Sequence, residues 1–158
     1  MNCKKIILIL AVVLLNTVSA FCDDPIVSVK SYKDLNLTEI VLTNGLKIVL
    51  KPTEFENDEV LYRLVAAGGY GQLPQDKMQS GQLAAQVGWE SGIGEYSSDQ
   101  VSVLLYEHSL EFFPKIMPFY RVVEGSSTSK GVDSFLKCLN LFFTSPQFHK
   151  EGFKTVLA

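Results

Sequence analysis

Apolar and polar positions along the chain fall into alternating, continuous and helical stretches. "TEIVLTNGLKIVLKPT" has two β-rich runs, Glu39–Leu42 and Leu46–Leu50, on either side of Thr43-Asn44-Gly45. Asn-Gly supplies the positive φ of a tight turn, so this stretch predicts a hairpin, ended by Pro52. "EFENDE" follows as a charged loop. Val60 to Gly69 is an almost unbroken apolar run and predicts a third, central strand. From about Asp76 to Ser91 the spacing of Leu83, Ala84, Val87 and Trp89 predicts a helix, stopped by Gly92 and Gly94. "SSDQVSVLLYEH" predicts a second helix, capped by Ser97 or Ser98, with Val101, Leu104 and Leu105 inward.

Two further extended runs follow, "HSLEFFPKI" and "MPFYRVVEGSST". Pro114 and Pro118 remove ladder donors and mark an edge, a bend or a bulge. Ser129 can cap a third helix on which Val132, Phe135, Leu136, Leu139 and Phe142/Phe143 recur at helical spacing, and Pro146 opens a fourth. The predicted order is β-β-β-α-α-β-β-α-α. That order implies an α+β fold, an antiparallel sheet packed under helices, over residues 39–158. Residues 21–38 read as an irregular lead-in. The aromatics Phe112, Phe113, Phe119, Tyr120, Phe142, Phe143, Phe148 and Phe153 read mainly as core by their period.

The N-terminus changes the picture. Lys4 and Lys5 precede the apolar run Ile6 to Leu15, and small residues stand at Ser19 and Ala20. This is the pattern of a secretory signal peptide over residues 1–20, cleaved between Ala20 and Phe21. The run is too short to span a bilayer, which takes about 20 apolar residues. The expected location is secreted or periplasmic, with no membrane span after signal removal. Export permits a disulfide between Cys22 and Cys138, but Cys138 falls in an apolar helix pattern and reads as core. Lys plus Arg number 14 against 17 Asp plus Glu, without a basic run, which argues against nucleic acid as a partner.

Candidate chemistry is sparse. "LYEHSLEFFP" holds His-x-x-Glu at His108 and Glu111, one residue short of His-x-x-Glu-His, since Phe112 stands at the last position. A metal motif of that form needs a helix to bring i and i+4 to one face. Phe112, Phe113 and Pro114 favour an extended chain, where His108 and Glu111 diverge on the fourth strand. The other histidine, His149, reads as a surface residue beside Lys150 and Glu151. Gly68, Gly69 and Gly71 in "AAGGYGQ" are followed by Pro74, so they read as a strand exit and not as a dinucleotide loop. No Gly-x-Ser-x-Gly elbow occurs, and nothing local joins Cys138 to a histidine. No catalytic, cofactor-binding or metal-ligating residue is assigned.

The ordered segments "LTNGLKIVLKPT", "LYRLVAAGG", "SGIGEYSSDQ" and "LFFTSPQF" resemble one half-unit of the insulinase/pitrilysin family of zinc metallopeptidases, the inverzincins. The resemblance runs from about Glu39 onward and implies an insulinase-like (LuxS-like) half-unit. In that family a catalytic unit holds zinc through His-x-x-Glu-His on the first helix after the third strand, with a later Glu. Companion units keep the fold, lose the ligands and help form the peptide chamber. Here the corresponding helix has no His, and the chain stops inside its fourth helix. The resemblance therefore implies a non-catalytic companion unit, shortened at the C-terminus, with no cofactor of its own. Its partners would be a catalytic protease half or a peptide substrate. An unpaired strand edge, which in the family's catalytic unit holds substrate, reads here as an edge left open by the shortened chain. The alternatives are an active zinc metalloendopeptidase with unrecognised ligands and a free-standing periplasmic binding module.

Overall fold

The computed structural model describes residues 25–158. The expected signal peptide, its expected Ala20–Phe21 cleavage site and Cys22 lie outside the described residues. Two compact units meet in sequence at Glu54 and Phe55. The first holds strands β1 (Ile26–Tyr32), β2 (Leu37–Leu42) and β3 (Lys47–Leu50), an antiparallel sheet in the order β1-β2-β3. The second holds β4 (Val60–Ala67), α1 (Met78–Ser91), α2 (Ser98–Glu107), β5 (Glu111–Ile116), β6 (Tyr120–Ser127), α3 (Val132–Thr144) and α4 (Lys150–Leu157). Its sheet is antiparallel in the order β4-β6-β5.

In the first unit the predicted hairpin forms. Gly45 takes φ 83°, and Leu46 N–H donates to the Asn44 side-chain oxygen at 2.9 Å, so the turn is held by its own two residues. The segment expected to be irregular contains β1, which pairs along β2 from Tyr32↔Leu37 to Ile26↔Leu42. The alternation in Ile26-Val27-Ser28-Val29 is too short to separate a strand from a lead-in. The long-range ladder decides it.

In the second unit one face of the sheet carries Tyr62, Leu64, Phe112 and Val123, and these pack with Trp89, Leu104, Phe135, Cys138 and Phe142 from the helices. The register sets Tyr62, Gly125 and Phe112 side by side across the three strands. Phe135 lies on that row. Its ring stacks on Tyr62 at 3.7 Å between centroids and meets Phe112 at 5.5 Å. Gly125 leaves the space: a Cβ there would come within 2.6 Å of the Phe135 ring and would also collide with the Glu111 carbonyl oxygen. Trp89 of α1 stacks on Phe112 at 4.9 Å and extends the aromatic layer under a second helix.

Several expectations shift. β4 is an outer strand and β6 the central one. The apolar run in β4 suggested burial on both faces, yet Leu61 is 74% and Val65 55% exposed. Strand neighbours are set by distant pairing, which a local run does not report. Pro114 sits in the outer strand β5, as its missing donor requires. Ser97 caps α2 in a full capping box with Gln100. Ser129 does not cap α3; it donates from N–H and hydroxyl to Asp58, and α3 starts at Val132. α4 starts at Lys150, since Pro146 is held extended in a bridge with Ile93. Of the aromatics read as core, Phe113, Phe119, Phe143, Phe148 and Phe153 are exposed. The strand-exit glycines dock on the β5–β6 turn: Tyr70 N–H reaches Met117 O at 3.1 Å and Gly71 N–H reaches Pro118 O at 2.9 Å.

The aromatic row gives a stability test. Phe135→Ala should cost about 3–5 kcal/mol, as for deletion of a buried ring. Gly125→Ala should cost about 1–3 kcal/mol, because the added methyl has no room. Urea unfolding of each variant beside the parent chain checks both. A Gly125→Ala chain as stable as the parent would contradict the packing described.

Candidate functional site

α1 occupies the place where the resembling family keeps its zinc motif, so its chemistry comes first. The helix presents Gln79, Gln82 and Gln86 with Glu90 and no imidazole. Among the described residues, no three His, Cys, Asp or Glu side chains come together as a metal-holding group. This donor set does not fit a zinc ion. What α1 does instead is pack. Its C-terminal end crosses α4 where Gly152, buried, lies against Ser91. Ser91 Oγ donates to Val87 O at 2.7 Å and accepts the His149 N–H at 2.9 Å, which ties the start of α4 to the end of α1.

The histidines are placed far from that role. His108 is the C-cap of α2, its N–H bonded to Leu104 O, and is not on a strand as expected. Ser109 then turns through φ 51°, and Glu111 opens β5. The strong β signal of Phe112-Phe113 hid a helix end at His108, four residues before Phe112. Glu111 accepts from Ser126 Oγ across the ladder at 3.1 Å. His149 is the exposed N-cap of α4.

Of the cavities in the second unit, two border its helices. One, of about 390 Å³, lies between α1, the segment around Phe143–Phe148 and the sheet, with Leu64, Ala66, Ala84 and Ile116 in its wall. The other, of about 410 Å³, is a groove between α2 and α3. Val101, Leu104 and His108 line it from α2, at helical spacing. Ser134, Lys137, Cys138 and Leu141 line it from α3, again one face. Val101 and Leu104 were legible as inward positions by their spacing, but only the fold adds His108 and sets the α3 residues opposite them. Cys138 is a buried free thiol, as its helix position implied.

Charge elsewhere is superficial. Glu124 accepts from Lys115 at 2.9 Å and lies 3.5 Å from Arg63. The Lys115 hydrogen bond and charge, with Arg63 adding less, hold its carboxyl below the usual range. Hydrogen bonds from Ser129 do the same for Asp58. Such exposed pairs contribute little to stability. No helix of the described residues is long and apolar enough to cross a membrane.

No protein-family profile matches the chain. The fold is nonetheless that of the M16 peptidases. The chain superposes on the periplasmic protease PqqL from Escherichia coli with a TM-score of 0.76 at 21% identity, over 84% of this chain and 15% of that one. It superposes on a peptidase M16 inactive domain from Pseudomonas fluorescens with a TM-score of 0.63 at 16% identity, over 77% of this chain and 29% of that one. In sequence, 65 residues, 41% of the chain, are 31% identical to a zinc protease PQQL-like of Arabidopsis thaliana, of which they span 7%. The α+β fold is therefore that of M16 zinc peptidases, and the sequence match agrees with the insulinase/pitrilysin family. The chain spans only a small part of each of these relatives.

Burial pushes the Cys138 thiol up from its ordinary value near 9.0 to about 11. Between those values the unfolded chain holds fewer protons than the folded one, so stability falls as pH rises through that window. The loss should reach about 2–3 kcal/mol by pH 11 and be absent below pH 8. Urea unfolding at pH 8 and pH 10.5 checks it, and Cys138→Ala should remove this component of the pH dependence.

Proposed function

We propose that this chain is an exported companion unit of the insulinase/pitrilysin type, without the zinc-binding motif and without catalysis of its own. Its role is structural or peptide-contacting, beside a catalytic protease half. The carrying observation is the M16 fold with a first helix that offers amides and one carboxylate where zinc chemistry needs imidazoles. The likeness to an inactive M16 domain supports the same reading. Catalytic zinc takes three protein ligands and an open position for water. His108 and His149 stand at the ends of different helices, and no three potential ligands group around either among the described residues.

Purified chain should contain substoichiometric zinc after exposure to excess metal and dialysis. It should not cleave unfolded or peptide substrates, and a chelator should change nothing. One zinc per chain together with chelator-sensitive cleavage would sink the proposal.

Export rests on the two lysines, the apolar run and the small residues that precede Phe21. The location is then periplasmic or secreted. Mass spectrometry of the exported protein should find Phe21 as its first residue. Recovery of intact chain from the cytosol alone would count against it.

A further inference from the structure

The groove between α2 and α3 is used by nothing described so far. Its volume of about 410 Å³ lies within the range of roughly 300–1,000 Å³ usual for ligand sites. The floor is apolar, from Ile93, Val101, Leu104 and Leu141, and the rim is polar, with Lys137 and His108. No Asp or Glu lines it, and among the described residues Lys137 makes no ion pair, so the groove offers an exposed cation over an apolar floor. Ser134 and Asn140 add uncharged polar groups at the same rim.

We propose that this groove binds the C-terminal end of a peptide whose last residue is apolar. The side chain rests on the floor, and the terminal carboxylate accepts from the Lys137 ammonium, with an N–H of the His108 imidazole as a second donor. Capture of a terminal carboxylate by convergent donors is an established mode of peptide recognition, and charge-assisted bonds give it strength. The idea deepens the companion-unit reading, on which it rests, by naming a contact for the peptide. Charge excludes the amino terminus, since an ammonium would face Lys137. A free fatty acid shares the ligand chemistry and is separated by experiment.

The probes are the tripeptide Gly-Ala-Leu as free acid, its C-terminal amide, and decanoate. The free acid should shift amide resonances of α2 and α3. The amide should bind about tenfold more weakly, the loss expected for one charge-assisted contact. Lys137 is exposed, so Lys137→Met should fold as the parent does, which circular dichroism checks, and should lose the same factor for the acid alone. Equal binding of acid and amide would overturn the carboxylate assignment. Decanoate binding as tightly as the peptide would overturn the peptide assignment, and no binding of the acid would overturn the site. The tripeptide is recovered and weighed by mass spectrometry. Its hydrolysis would defeat the companion reading, whereas intact peptide that fails to bind defeats only this proposal.

Discussion

The second unit depends on the contact of Phe135 with the bare backbone of Gly125. The central strand has no side chain at that position, so α3 settles into the row between Tyr62 and Phe112. Phe135 is 1% exposed and touches both outer strands through their aromatics. From there the layer spreads. Trp89 brings α1 onto Phe112, and Phe142 closes the edge at 5.6 Å from the same ring. Offset and edge-on contacts such as Trp89–Phe112 and Phe112–Phe142 contribute beyond their buried area and fix mutual geometry. The helices are therefore held to the sheet by shape at one row.

That arrangement explains what α1 is for. In a metallopeptidase the first helix presents ligands. Here it presents Trp89 to the sheet, and through Gly88 and Ser91 it receives Phe148 and α4. Its side toward the rest of the unit is taken up by packing, and Gln79, Gln82, Gln86 and Glu90 are among its remaining polar positions. The fold of the second unit is held by aromatic burial.

The places where the sequence misled share one cause. β4 looked central because its residues are apolar, yet strand order is a matter of which distant segment pairs with it. Pro146 looked like a helix start, but the bridge to Ile93 and the Gly94 N–H to Ser145 O bond keep that segment extended. Ser129 has the chemistry of a cap and spends it on Asp58, distant in sequence. Exposed phenylalanines satisfied a helical period without finding a core. In each case local propensity was outweighed by a partner that no local window contains.

By itself the sequence determined the element types and their order from the Asn44-Gly45 hairpin onward, and the turn chemistry. Asn44-Gly45 forces the hairpin, Ser97 with Gln100 opens α2, and Pro114 confines β5 to an edge. It also determined the absence of histidine from α1, which bears most directly on function. The tertiary structure alone decided that β1 is a strand, that β6 is central and that His108 ends a helix. It also decided that Lys137 faces the groove of α2 across Ile93 and Leu141. Short-range preferences follow from the backbone and each residue's own side chain. Strand pairing, burial and the lining of a cavity follow from segments far apart in the chain, and only folding brings those together.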